Sequence, residues 1–274
     1  MPNAGRLAAW DPEQYLRFAS ERFRPFFELL AQIGAESPAA VTDLGCGTGE
    51  LTWELKRRWP EADVLGIDNS PEMLAAARRL VGPDSGRPDD PGPGTPPRFI
   101  LGDLRTWRPR EPVDVIIANA VLQWIPGYQR LIERWVGWLP SGGWLAFQVP
   151  ANLDQPSQRI LRELVRSPEW CAELTGVLLA RQAADPAEFI DQLSRLGCAV
   201  DAWETTYLPV LRGPNPVVEW YRGSGLRPVL AALTPERAEA FLAEYTERVR
   251  DAYPARPYGT VMPFRRVFVA ARRG

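Results

Sequence analysis

The 274-residue chain contains no histidine. The commonest general base near neutral pH and the commonest metal ligand are therefore both missing. Its three cysteines, Cys46, Cys171 and Cys198, are too few and too scattered for a disulfide framework or a zinc site, which predicts a reducing compartment and no metal. No apolar run is long enough to span a bilayer, and the first thirty residues carry charges throughout with no apolar core of signal-peptide length. A formal net charge of −2 gives no electrostatic footprint for nucleic acid or an anionic membrane. These absences predict a soluble, cytoplasmic protein. What remains is ordinary globular material, 45% hydrophobic and 24% charged, long enough for one large α/β domain with additions or for two small domains.

The most informative stretch is Val41-Thr-Asp-Leu-Gly-Cys-Gly-Thr-Gly-Glu-Leu51. It reads as a short buried strand, an acid at Asp43, a turn built on Gly45, Gly47 and Gly49, and a helix with Leu51, Leu55 and Trp59 on one face. Glycines at alternate positions let the backbone turn sharply and let a ligand lie against it with no Cβ in the way. The following helix turns its free N–H groups toward that ligand, favouring an anion or carboxylate. There is no Gly-Lys-Ser/Thr, so the loop is not a phosphate-gripping P-loop, and the spacing is not Gly-x-Gly-x-x-Gly, which argues against a nicotinamide oxidoreductase. Asp68 ends the apolar run Val64-Leu-Gly-Ile67, where an acid is placed to accept both hydroxyls of a ribose. The pair Asp43 and Asp68 resembles the S-adenosylmethionine site of class I methyltransferases.

Taken in order, residues 11–33 read as helix started by Asp11-Pro12, with a break or kink at Arg24-Pro25. Ser70-Pro71-Glu72 opens another helix in the same way. Residues 82–97 are ten parts in sixteen Gly or Pro, which predicts a mobile surface insertion. Strands follow at Phe99-Ile-Leu101, Val113-Asp-Val-Ile-Ile117 and Trp144-Leu-Ala-Phe-Gln-Val149, with a helix at 104–110 either present or missing. The acid Asp103 falls just past a strand end, where open α/β sheets bind ligands. Helices are expected at 157–164 and 169–179, then from Asp185-Pro186 to a stop at Gly197, and again from Thr234-Pro235. One long strand is expected over 199–211 and a last one over 265–271. Alternation over 36–150 implies a mainly parallel sheet, and the later strands read as completing it.

Trp10-Asp-Pro12, Tyr15-Leu16, Glu21-Arg22 and Arg24-Pro25 resemble the opening of the trans-aconitate 2-methyltransferase family. So do Gly66-Ile-Asp-Asn-Ser-Pro-Glu-Met73, Asn119-Ala-Val-Leu-Gln-Trp124, Gly225-Leu-Arg-Pro228 and Phe264-Arg-Arg-Val-Phe268. The resemblance covers nearly the whole chain. It implies a Rossmann-like class I methyltransferase: an α/β, mainly parallel seven-stranded sheet with an antiparallel last strand and a helical cap. One domain is expected, with N-terminal helices at 11–33, a cofactor-binding core at 36–150, cap segments at 151–184 and 213–255, and sheet-completing strands at 199–211 and 265–271. It also implies S-adenosylmethionine as donor and a small polycarboxylic acid as acceptor. Asp43, Gly45, Gly47 and Gly49 would line the methionine part, Asp68 and Asn69 the ribose, Asp103 and Leu104 the adenine, and Asn119 and Trp124 the sulfonium.

A polyacid acceptor needs cations, and arginine pairs bidentately with carboxylates. Arg22 or Arg24, together with Arg222 or Arg227, are the candidate clamp, with Trp10, Tyr15 and Tyr258 bordering the acceptor. Each of these arginines reads equally well as a surface or structural ion pair. The chain departs from the family in having Gln158 after Pro156-Ser157, and Leu208-Pro209 after Thr205-Thr-Tyr207, where histidines are usual. Those departures leave open a different small-molecule acid, phenol or amine as acceptor, or a cofactor-binding protein without turnover.

Overall fold

The computed structural model describes residues 11–81, 95–177 and 185–274. The chain forms two compact units. Among the described residues, one comprises 20–81, 95–150, 185–205 and 266–274 and carries the sheet; the other comprises 11–19, 151–177 and 206–265 and is mainly helical.

In the sheet unit, β1 (Ala40–Leu44), β2 (Asp63–Asp68), β3 (Arg98–Leu101), β4 (Val115–Asn119) and β5 (Trp144–Pro150) alternate with helices. The order across the sheet is β3-β2-β1-β4-β5-β9-β6, with β6 at Cys198–Tyr207 and β9 at Phe264–Arg273. The pairs from β3 through to β5 are parallel, and β9 runs antiparallel to β5. This is the mainly parallel, seven-stranded architecture expected, with the last strand antiparallel. Parallel strands are buried on both faces and so read as continuous apolar runs, as β4 does: Val115, Ile116, Ile117 and Ala118 are all inaccessible.

α2 (Ala19–Ala31), α3 (Glu50–Arg58), α4 (Pro71–Leu80), α5 (Gln129–Trp138) and α8 (Pro186–Arg195) flank these strands in the chain. Their starts follow local chemistry. Ser70 accepts from the Met73 N–H at 3.2 Å and Asp185 from the Ala187 N–H at 2.9 Å, each followed by proline at the first helical position. No helix forms between β3 and β4; the chain turns through 104–106 instead.

Three expectations need correction. The N-terminal helix breaks after Leu16, between α1 (Pro12–Leu16) and α2, and Pro25 lies inside α2. The long strand over 199–211 is interrupted: β6 ends at Tyr207, and β7 (Val210–Leu211) pairs antiparallel with β8 (Thr260–Val261) in a separate two-stranded sheet. Proline at 209 has no N–H to give to a ladder, which ends the run. The helix expected over 169–179 is only the single turn α7 (Cys171–Leu174) among the described residues. The Gly/Pro stretch falls, up to residue 94, outside the described residues.

The helical unit contains α1, α6 (Pro156–Arg166), α7, α9 (Pro216–Arg222), α10 (Arg227–Leu230) and α11 (Pro235–Ala252). Phe241, Tyr245 and Val249 bury one face of α11, and Trp170 packs edge-on against Phe241 with ring centres 5.0 Å apart. Among the described residues, no helix is long and apolar enough to cross a membrane.

Candidate active site

The glycine turn joins β1 to α3, and each glycine answers a different demand. Gly45 has φ +78°, and a Cβ there would lie 2.3 Å from Val121 Cγ2. Gly49, φ +85°, would collide with Ala77 and Phe99, each 2.8 Å away. Gly47, φ +56°, has nothing within 4 Å of where a Cβ would be. The first and last are needed for closure of the fold, whereas the middle one faces open space that a ligand can fill.

Both acids of the sequence motif border this turn. Asp68 Oδ2 accepts from the Gly47 N–H at 2.9 Å and Oδ1 from the Ser70 N–H at 2.8 Å. Burial still pushes its carboxyl above the usual range against those backbone donors. Asp43 is sealed from solvent and accepts from the Thr52 hydroxyl at 2.7 Å. Burial raises its carboxyl to about 7; Thr52 opposes the rise and the nearby Asp68 charge adds to it. Cys46, buried beside both acids, is pushed up well above its ordinary value by burial and is an inert thiol.

Asp103 follows β3 but is not presented alone. Arg105 folds back on it, with Nε 3.0 Å from both oxygens and Nη2 2.6 Å from Oδ2, and holds the carboxyl below the usual range. Arg134 of α5 fixes this loop by donating to the carbonyls of Arg105 and Trp107 at 2.7 and 3.3 Å. Leu104 beside Asp103 is buried, and Asn69 after Asp68 is exposed.

At the carboxyl end of β4, Asn119 Oδ1 accepts from Gln148 Nε2 at 2.5 Å, and Gln148 Oε1 accepts from Arg266 Nη1 at 2.9 Å. The next residue, Ala120, has φ 58°, a left-handed conformation that a residue with a Cβ rarely adopts. Such strain persists where the surroundings over-determine it, and it gathers at functional sites. Trp124 closes a short 3-10 turn over Leu122–Trp124 and is half-buried.

The candidate arginines divide between the units. Arg22 is buried on α2, while Arg24 is largely exposed and lies 3.5 Å from Glu28 in a surface ion pair. Arg222 pairs with Glu219 at 3.1 Å; the same glutamate meets Arg17 at 2.8 Å. Arg227 is half-buried on α10, and Tyr258 is 60% exposed. Trp10 and the Tyr15 side chain lie outside the described residues. In the helical unit, Gln158 Nε2 stands 3.5 Å from where a Gly225 Cβ would be, and Tyr221 is also adjacent. The residue that departs from the family pattern therefore abuts the Gly-Leu-Arg-Pro segment. Ser157, fully buried, meets the Tyr253 hydroxyl at 3.1 Å and takes a bond from the Tyr245 hydroxyl at 3.3 Å on its carbonyl. Burial keeps Tyr245 protonated far above neutral pH, so it is no base.

Sequence reading missed Thr52, Arg105, Arg134, Gln148 and Arg266. Gln148 offered the only clear signal, as a polar residue inside an apolar strand, since a buried amide must find partners.

The strand order and the glycine turn between two acids define a class I S-adenosylmethionine-dependent methyltransferase. Residues 41–143 match a methyltransferase domain family model. Two solved structures share the fold: the YcgJ protein of Bacillus subtilis (TM-score 0.54, 14% identity, 91% of this chain and 98% of that one) and magnesium protoporphyrin IX methyltransferase from Synechocystis (TM-score 0.52, 16% identity, 96% and 86%). The chain is 49% identical to a trans-aconitate 2-methyltransferase of Streptomyces avermitilis, over 100% of this chain and 99% of that protein. It is 46% identical to one from Rhodococcus jostii, over 96% and 99%. The chain belongs to the trans-aconitate 2-methyltransferase family.

Proposed function

We propose that the protein transfers a methyl group from S-adenosylmethionine to a carboxylate oxygen of trans-aconitate or a close small polycarboxylic acid, forming a methyl ester. The observation that carries this reading is the extent of the similarity. The family model ends at residue 143, within the part common to methyltransferases, while the relatives match across the helical unit as well. The whole chain is read as one methyltransferase domain.

The residues of the glycine turn suit the cofactor. Open space over Gly47 leaves room for it, Asp68, which already accepts from backbone N–H groups, would turn its remaining lone-pair capacity to ribose hydroxyls, and Asp43 in its ionised form would balance the methionine ammonium. Asn69, Leu104 and Trp124 would complete the cofactor wall, and Asp103 would meet the adenine once shared with Arg105. When bound, S-adenosylmethionine supplies a methyl carbon activated by an adjacent positive sulfur. A carboxylic acceptor is already ionised at neutral pH, so this histidine-free chain needs no general base. Its task is alignment of the reacting atoms at roughly 3–3.5 Å and removal of water from the carboxylate. Arg22, Arg222 and Arg227 are proposed to neutralise the carboxylates that are not methylated, and Gln158 to replace the family histidine in acceptor recognition. No nucleic acid or membrane takes part in this reading, and the cytoplasm is the proposed compartment.

The test is mass spectrometry of reactions containing S-adenosylmethionine and trans-aconitate, cis-aconitate, isopropylmalate, or aromatic acids, phenols and amines. A product from trans-aconitate heavier by one CH2, cleaved by mild base, supports the reading. Turnover of a phenol or amine but no polyacid would overturn it.

A further inference from the structure

Asn119, Gln148 and Arg266 form a hydrogen-bonded chain whose direction is dictated by its last member. Asn119 ends β4, and Gln148 stands directly beside it in register on β5. Arg266 lies near the start of β9, opposite Pro150 of β5. Gln148 is 1% and Arg266 5% exposed, so water does not compete for these bonds. A guanidinium has only donors. Gln148 must therefore turn its oxygen to Arg266 and its nitrogen to Asn119, and Asn119 must answer with its own oxygen. Two carboxamides, each able to sit either way round, are given one orientation by a buried cation.

The consequence falls at the outer end of the chain. With Oδ1 engaged, Asn119 has its Nδ2 hydrogens left to offer, at the carboxyl end of β4 and immediately before the strained Ala120. Donors at that place favour a carboxylate. An oxygen there would repel a carboxylate and favour an ammonium.

We propose that Arg266 is a positioning residue which, through Gln148, presents the Asn119 Nδ2 hydrogens to a carboxylate of the reactants. Where that carboxylate is the acceptor's, the arrangement selects an anionic acceptor over an amine. The carboxylate belongs either to the acceptor or to the methionine end of the cofactor. The inference rests on the methyl-ester reading for its consequence in catalysis; the orientation of the amides stands apart from that reading.

Gln148→Glu reverses the polarity while keeping the shape. The substituted carboxylate still accepts from Arg266 but offers nothing to donate, so Asn119 must turn over, give its Nδ2 hydrogens inward and leave its oxygen outward. NMR of the Asn119 side-chain amide reads this without substrate: its protons exchange freely with water in the parent and become protected in Gln148→Glu. If the carboxylate is the acceptor's, KM for trans-aconitate rises with the cofactor Kd unchanged. If it is the cofactor's, the Kd for S-adenosylmethionine rises instead. In either case kcat/KM falls on the order of a hundredfold, as for loss of one preorganised donor. Arg266→Lys, still donor-only, retains most activity, whereas Arg266→Gln, which can also accept, does not; this pair serves if Gln148→Glu fails to fold. A folded Gln148→Glu protein with parental amide exchange, Kd and KM overturns the proposal, as does equal activity of the two Arg266 variants. Failure of the parent to esterify any polyacid would instead sink the acceptor reading, with the exchange pattern and the cofactor Kd still deciding the orientation.

Discussion

Thr52, in the first turn of α3, reaches back to donate its hydroxyl hydrogen to Asp43 Oδ2 at 2.7 Å, with both side chains closed off from water. Burial is the larger influence on that carboxyl and lifts it to about 7. If Asp43 meets the cofactor's ammonium, S-adenosylmethionine should bind more tightly as pH rises through about 7, because binding draws on the ionised form. Thr52→Val removes the hydroxyl that favours that form, so the midpoint should move to higher pH, by about one unit. Calorimetric Kd values from pH 5.5 to 8.5 check this, and a flat profile would separate Asp43 from the cofactor's charge.

The same carboxyl sets a stability trend. A folded pKa above the unfolded value means stability present below about pH 4 and lost as pH rises toward 7. The rise from 3.8 to about 7 corresponds to something on the order of 4 kcal/mol. Asp43→Asn does not titrate, so its stability relative to the parent should improve between pH 4 and 7 and level off above. Urea unfolding at pH 5 and pH 8 measures the difference. No change in the gap between the two proteins would show that Asp43 titrates normally.

Gly45 and Gly47 separate folding from binding. Gly45→Ala meets both a left-handed backbone and Val121 Cγ2 at 2.3 Å, and should cost about 2–4 kcal/mol of stability. Gly47→Ala meets only the backbone penalty, about 1 kcal/mol, since nothing stands within 4 Å of its Cβ. Its methyl would project into the space assigned to the cofactor, so its affinity should fall at least tenfold. Thermal melts and cofactor titrations of both variants test the contrast; parental affinity in folded Gly47→Ala would place the cofactor elsewhere.

Arg105 engages both oxygens of Asp103, the acid proposed to meet the adenine. The pair is exposed, with side-chain exposures of 65% and 34%, so its contribution to stability is slight. Arg105→Gln should leave the melting temperature within about 2 °C of the parent and strengthen cofactor binding two- to fivefold, the gain shrinking in high salt. Weaker binding would mean that Arg105 itself takes part in holding the nucleoside.

Local chemistry was legible in the sequence. Ser70, Asp185 and Thr234 each start a helix with the side-chain cap expected of them. The apolar runs became the parallel strands for the same reason, since burial on both faces leaves no room for alternation. Long-range outcomes were not legible. Leu208-Pro209 broke an expected strand because β7 found β8, some fifty residues later in the chain. Asp103 read as a bare ligand acid, but a side chain two residues on took both its oxygens. Arg266 read as one more basic residue in Phe-Arg-Arg-Val-Phe; only the pairing of β5 with β9 brings it over Gln148.

The strand that delivers Arg266 is the last of the sheet to be made, yet it lies between β5 and β6 rather than at an edge. β5 and β6 do not pair with each other, so β6 joins the sheet only through β9. Until residues 264–273 take their place, the amides of Gln148 and Asn119 have nothing to tell them which way to face. The direction of these two amides is thus a property of the completed sheet, whereas the glycine turn and its two acids are built on β1 and β2 alone.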